Sequence, residues 1–437
     1  MLIILVVLAV VASLPWWLPG RVVALRVRVF ARINGDEGIP VPGDLVGVDR
    51  FRELYSHPAA GGRSKGAALS DLFWYWLAPG PEMHQEHLEA GERYDAVARC
   101  TRDLLALPRE EAEELTRRCA ARALDGASGL VRLRDLMMPL WAEFAYEIVF
   151  AERCPREARD LIAANAEDVS ASLKCTRLRH MRRRRRLTRY LLPRLSRVRR
   201  PLPPGLTPQE QAYYVHGAFF TTAVVQMSEA MTHLLLTLAE HPDAQERART
   251  GDDRYLDHVI AETMRLHPLF GIAHRITTGD IPLDEHTTIP AGSVLCFNYP
   301  EFHRAGFTDP GTFDPGRFER PAKELNHIPF GVAANRPCPA WRLAPIAMRV
   351  AAREVLNRYV LDTSVTHTRA LPSRGPCLLT PRDAPRRPAR RRRLALAYLR
   401  VRDRWEDVWR GLAQLVLGTY MVWDARRQRL CERHFHL

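Results

Sequence analysis

The sequence predicts a mainly α fold with a small β portion, arranged around one long central helix. Three observations predict it. The stretch "QAYYVHGAFFTTAVVQMSEAMTHLLLTLAE" runs without proline to His241-Pro242 and is apolar almost all round, so it belongs in the middle of the fold. Residues 40 to 170 read as helices broken by Pro and Gly, for example "REEAEELTRRCAARAL". Only short pieces, "RITTGDIPLDEHTTIPAGSVLCFN" and "ALPSRGPCLLTP", alternate and turn like strands.

A chain of 437 residues with 46% hydrophobic content is long enough to bury one large core. Its net charge of +14 is concentrated, since Lys174 to Arg200 holds thirteen Lys or Arg and no acid. The rest of the body is close to balanced. No aromatics interleave with the cations in an RNA-binding pattern, which argues against a nucleic-acid partner. An anionic membrane surface or an acidic protein partner fits the charge better. The eight cysteines include no C-x-x-C pair, so zinc and thioredoxin-like chemistry lack their usual signature and reduced thiols are expected.

The chain starts "MLIILVVLAVVASLPWWLPG". Leu2 to Leu18 is uncharged and near the short end for a membrane-spanning helix, with Trp16 and Trp17 where an aromatic belt would lie. Arg21, Arg26, Arg28 and Arg32 follow it, an order that leaves the body in the cytoplasm. A signal peptide or a buried helix are the alternatives, though a signal peptide normally begins with basic residues. Residues 1–20 are therefore expected to be an anchor and 21–39 a basic juxtamembrane segment. Residues 40–380 would form the body, and 381–437 a basic linker with an amphipathic helix.

In the body, "MRRRRRLTRYLLPRLSRVRR" ends in the turn-rich "PLPPGLTP". Thr207, Pro208 and Glu210 then spell a capping box with proline at the first helical position, starting the central helix. A second helix, "RYLDHVIAETMRLHP", stops at Pro268. After the last strand, Tyr398, Trp405, Trp409, Leu412, Val416, Tyr420 and Trp423 recur at near-helical spacing. Such a helix lies on a membrane surface or packs on its own domain.

Three separated motifs need one explanation. "AETMR" places Glu262 and Arg265 three apart on one helical face. "FTDPGTFDPGRF" carries Arg317 in a proline-pinned loop. "HIPFGVAANRPCPAWRLA" sets Cys338 between Pro337 and Pro339, ahead of an apolar helix. Each is weak alone.

In this order and spacing they resemble the cytochrome P-450 superfamily of haem-thiolate enzymes, over roughly residues 40 to 380. The resemblance is to a bacterial-type member with an atypical N-terminal anchor and C-terminal extension. It implies the family's fold, with the long helix over the haem. It makes Glu262, Arg265 and Arg317 a structural triad and Cys338 the axial ligand of haem iron. Iron needs thiolate, held in one place and shielded, and thiolate ligation favours O–O cleavage. Phe330 belongs to the same loop. Arg336 and Arg275 fall where the family has partners for the haem propionates, and His84, or less directly His87, is a third candidate. Thr221 and Thr222 in "GAFFTT" match the threonine that handles bound oxygen. The cofactors implied are haem b and, through an external carrier, NAD(P)H. A small apolar substrate and an acidic, ferredoxin-type electron donor are the implied partners.

The pattern also departs from the family. Phe330 precedes Cys338 by eight residues instead of seven, Ala334 and Ala340 replace the usual loop residues, and Phe220 stands where an acid normally precedes the threonine. Relatives that rearrange peroxides depart at the same places. A haem-thiolate isomerase, dehydratase or peroxide-using enzyme is therefore the alternative reaction, and a non-catalytic membrane-tethered haem protein the alternative class.

Overall fold

The computed structural model describes residues 2–34, 38–63, 68–77, 87–321, 324–365, 367, 374–384, 388–430 and 433. Helix α1 (Leu2–Asn34) is continuous, with Pro15 and Pro19 inside it. Nothing between Gly20 and Asn34 breaks a helix, so a single helix runs through the sequence boundary at residue 20. Strand β1 (Ile39–Val41), α2 (Phe51–Ser56) and α3 (Ala68–Leu77) lead to the helical body.

The body begins with α4 (Glu92–Leu105), α5 (Arg109–Leu124), β2 (Gly129–Arg132), α6 (Leu133–Phe150), α7 (Arg156–Leu173) and α8 (Met181–Leu191). Helix α9 (Pro208–Val215) starts as its capping box requires: Thr207 Oγ1 accepts from the Glu210 N–H at 3.3 Å and the Glu210 carboxylate accepts from the Thr207 N–H at 2.8 Å. The same helix passes through a π-helical stretch, His216–Ala223, into α10 (Val224–Glu240). Wider π turns occur often at functional sites, and this one holds both Thr221 and Thr222. Then follow α11 (Pro242–Thr250) and α12 (Asp253–Leu266), the latter capped by Asp252, whose side chain accepts from the Tyr255 N–H.

The β portion is small. Strands β3 (Ile272–Ile276) and β6 (Val294–Asn298) pair antiparallel, Arg275 opposite Leu295, and β1 joins β6 in parallel, Ile39 opposite Leu295. Strands β4 (Ile281–Pro282) and β5 (Thr288–Ile289) make the turn between them. Helices α13 (Tyr299–Phe302) and α14 (Leu343–Arg358) flank the cysteine loop. Strand β8 (Pro376–Pro381) pairs with both β7 (Tyr359–Asp362) and β2.

The main core is helical: α6 and α10 bury Trp141, Tyr146, Leu234 and Leu235, and α14 adds Ala347, Ala351 and Leu356. A second core joins α2 to the β1–β6–β3 sheet through Phe51, Tyr55, Phe297 and Phe302. Apolar burial of this kind contributes about 25 cal/mol per Å².

Helix α15 (Ala389–Gln428) lies beside α1. Arg26 bonds Gln414, Phe30 closes on Gly418, and Arg404 sits over the Trp16 ring. These partners ascend together along both helices, so the pair is parallel. Phe30 and Ile33 pack with Leu72, Val422 and Ala425. By contrast Ile3 to Val11 are largely exposed, so only the C-terminal half of α1 is held by the body. The basic run around residue 184 is also partly absorbed. Arg179 pairs with buried Asp168 at 2.7 Å, and buried Arg184 stacks on Tyr213.

Candidate functional site

Two of the three sequence motifs meet at one end of α12. Glu262 and Arg265 form a fully buried two-point ion pair, with Arg265 Nε at 2.6 Å and Nη2 at 2.8 Å from the carboxylate. Arg317 reaches the same carboxylate at 3.6 Å, too long for a hydrogen bond, and spends its own donors on the carbonyls of Thr308 and Asp309. Glu262 also accepts from the Asp314 N–H at 2.9 Å, and Arg265 donates to the Pro310 carbonyl at 2.8 Å. Burying two charges is costly unless their remaining hydrogen bonds are satisfied. The loop 308–314 is what satisfies them, so helix and loop hold one another.

The cysteine loop turns back on itself. Val332 and Asn335 form a bridge, Gly331 and Arg336 adopt positive φ (73° and 48°), and the Cys338 N–H donates to the Phe330 carbonyl at 3.0 Å. The additional residue between Phe330 and Cys338 is thus absorbed in a tight turn at 332–335. Asn335 Nδ2 fixes that turn to the carbonyls of Tyr55 and Ala60 at 3.0 and 3.2 Å. Burial raises the Cys338 thiol pKa, and the Ala340 N–H bonded to it acts in the opposite direction. A coordinating metal strips the proton from such a thiol, and the amide then stabilises the sulfur's charge.

Around this loop three guanidiniums gather. Arg336 is buried, donating to the carbonyls of Gly61 and Leu88 and lying over the Tyr94 ring. Arg275 is buried and donates to the Tyr55 hydroxyl at 3.1 Å. Arg63 donates to the His274 carbonyl at 2.7 Å. Burial and the charge of Arg275 lower the Arg336 pKa to about 10. Burial, then Arg275 and Arg336, hold Arg63 well below its ordinary value. Such mutual repulsion is relieved by a ligand carrying more than one negative charge. No local pattern in the sequence marks Arg63. "GGRSKG" looks like a solvated turn, and only the fold brings it to Arg275. His84 lies outside the described residues. Among them, its neighbour His87 is buried against Trp74.

On the central helix, Thr221 is buried and its hydroxyl accepts from Asn165 Nδ2 of α7 at 3.1 Å. Thr222 is half-buried. Phe220 is fully buried against Tyr146 and Phe150 of α6, so a carboxylate at this position would lie in apolar core.

A family model described as Cytochrome P-450 matches residues 152–384. The chain belongs to the cytochrome P-450 family. Among curated relatives, putative cytochrome P-450 135B1 of Mycobacterium tuberculosis is 32% identical over 144 residues, 32% of this chain and 30% of that protein. Cytochrome P-450 4c21 of Blattella germanica is 34% identical over 162 residues, 31% and 32% of the two chains. The match thus spans about a third of the length of either relative. Solved cytochromes P-450 share the fold: cyanobacterial CYP120A1 with retinoic acid bound (TM-score 0.60, 17% identity, 76% of this chain and 87% of that one) and OleT with arachidonic acid (TM-score 0.62, 17% identity, 78% and 88%). A cytochrome P-450 implies haem. The residues present fit that group, with a shielded sulfur that accepts an amide hydrogen bond and a buried cationic cluster beside it for two carboxylates.

Proposed function

We propose that this protein is a haem-thiolate monooxygenase that oxidises, by hydroxylation or a related step, an apolar small molecule. Electrons come from NAD(P)H through a separate ferredoxin-type protein, and the protein is tethered to a membrane with its body in the cytoplasm. The observation that carries the reading is the Cys338 loop, with its sulfur bonded to the Ala340 amide and Arg63, Arg275 and Arg336 around it.

Cys338 would supply the thiolate that holds haem iron, and Pro337, Pro339 and the Asn335 contacts keep its sulfur in place. Arg275 and Arg336, joined by Arg63, would hold the two haem carboxylates. Glu262, Arg265 and Arg317 brace the 308–314 loop. Haem bound through thiolate supplies dioxygen activation and O–O cleavage. The Thr221 hydroxyl accepts from Asn165 and so keeps its own proton available as a donor. The anchor is the N-terminal part of α1, which is long and apolar enough to cross a membrane. Exposed Trp16 and Trp17 lie toward the end of that segment, where an aromatic belt would sit.

The deciding experiment is the reduced, carbon-monoxide-bound spectrum of wild type beside Cys338→Ala. A thiolate-type Soret band lost in Cys338→Ala supports the reading. Haem without that band means another axial ligand, and absence of haem overturns it. Turnover with reductant and ferredoxin, set against turnover with peroxide alone, then separates monooxygenation from peroxide chemistry. Turnover with neither leaves the tethered haem-binding role.

A further inference from the structure

We propose that His233, His267 and His367 form a zinc-binding site separate from the Cys338 loop, with Glu240 as the carboxylate that orients it. The three residues come from three elements: α10, the residue just after α12, and the segment after β7. Their ring centroids lie 3.8 Å apart for His267–His367, 5.3 Å for His233–His267 and 5.4 Å for His233–His367. One ring nitrogen from each lies within 4.8 Å of the others. Three imidazoles within reach of one point are a familiar protein donor set for zinc, which takes a carboxylate or water in the fourth position.

Glu240 strengthens the assignment. It follows His233 by two helical turns on α10, and its carboxylate lies 2.8 Å from His367 Nδ1. A proton on Nδ1 held by that carboxylate leaves Nε2 as the basic nitrogen. Nε2 is buried and makes no hydrogen bond among the described residues. A carboxylate on the far nitrogen is the usual arrangement behind a metal-binding histidine.

The rings are nearly parallel, at 10–22° to one another. Zinc requires them to turn about Cβ–Cγ, a broad and cheap torsion, so that their in-plane lone pairs converge. Zn–N bonds of about 2.0–2.1 Å then bring the nitrogens to roughly 3.3 Å from one another. Among the described residues, the other cluster with potential metal donors, Cys119, Glu143 and Glu147, is different because Arg122 already bonds both carboxylates. A cation is in place there.

Zinc in the triad would tie the segment after β7 to α10 and to the helix that carries Glu262. The test is titration of untagged, full-length, haem-loaded protein with Zn²⁺ against a chromophoric chelator. Wild type and the variants His267→Gln, His367→Gln and Glu240→Gln are compared. A double variant, His434→Gln with His436→Gln, controls for the histidines of "CERHFHL". The expected result is one tight equivalent in wild type and in the control. Either histidine variant should weaken it at least tenfold, and Glu240→Gln by roughly 10–100-fold. Unchanged haem absorption in every variant keeps this outcome independent of the Cys338 reading. Hydrogen exchange gives a second readout, with Zn²⁺ slowing exchange at residues 363–365 and 367. Absence of saturable binding, equal binding in the histidine variants, loss in the control alone, or exchange unaffected by Zn²⁺ each overturns the site.

Discussion

Asn335 donates from its side-chain amide to the main-chain carbonyl of Tyr55 at 3.0 Å, fastening the turn before Cys338 to α2. Tyr55 in turn receives a hydrogen bond from Arg275 and shares one with Tyr299. One asparagine thus couples the cysteine loop to the cationic cluster. Asn335→Ala should cost about 1–3 kcal/mol, because carbonyls of Tyr55 and Ala60 lose their donor, and should speed haem loss to apomyoglobin. Asn335→Asp should be worse, since it sets a carboxylate against carbonyl oxygens. Equal haem retention in all three proteins would count against this coupling.

Removing the Glu262 charge leaves Arg265 buried with no counter-ion. Glu262→Gln should therefore destabilise by about 3–5 kcal/mol, measured by urea denaturation followed in the far-ultraviolet. Arg317→Gln should cost less, because its contact to Glu262 is 3.6 Å and its donors serve carbonyls.

Truncations should separate the two halves of α1. Deleting residues 2–14, mostly exposed, should release the protein from membranes while leaving its melting temperature within a few degrees. Deleting 2–34 uncovers the α15 face filled by Val22, Phe30 and Ile33. At about 1.5–3 kcal/mol for each side chain that is fully buried, this deletion should lower stability sharply and promote aggregation. Similar melting of both truncations would refute the distinction.

Acid should unfold the protein through buried neutral histidines. Burial, with Arg63 and Arg275 nearby, pushes His274 from 6.5 down to about 3. Burial first, then neighbouring positive groups, also holds His216 and His327 well below 6.5. Unfolded, these residues take up protons below pH 6.5; folded, they do not. Their contribution is complete above pH 6.5 and is lost as pH falls toward 3. The slope is about 1.4 kcal/mol per pH unit for each proton. His274→Gln should reduce the proton uptake on unfolding at pH 5 by one. An unchanged pH slope would show that His274 is protonated in the fold.

Thr221→Val keeps the volume and removes the hydroxyl. Product formed with reductant should fall roughly 10²-fold if that proton is used, while peroxide-driven turnover changes far less. Equal losses by both routes would assign Thr221 a packing role only.

Local patterns in the sequence announced much of this. The capping box at Thr207, the stop at Pro268 and the uninterrupted apolar run gave the central helices, because each is a short-range signal. Glu262, Arg265, Arg317 and Cys338 stand out only through the family resemblance that their three motifs carry together. Arg63, Asn165 and Asn335 do not stand out, since each acts across more than fifty residues through contacts that leave no local periodicity. His233, His267 and His367 are likewise scattered over three elements. The pairing of α1 with α15 was hidden for another reason: aromatic spacing in α15 suits a membrane surface and a protein neighbour equally well.

The parallel pair of α1 and α15 also sets a schedule. Arg26 and its partner Gln414 are 388 positions apart. At about 5–20 residues per second of synthesis, that interval is roughly 20–80 s. Throughout it the inner face of α1 lacks its α15 partner and has only α3 to pack against. A bilayer that captures the outer half of α1 early would hold the nascent chain at a surface for that period. Under the proposed tethering, α1 would aid folding before it serves any enzyme.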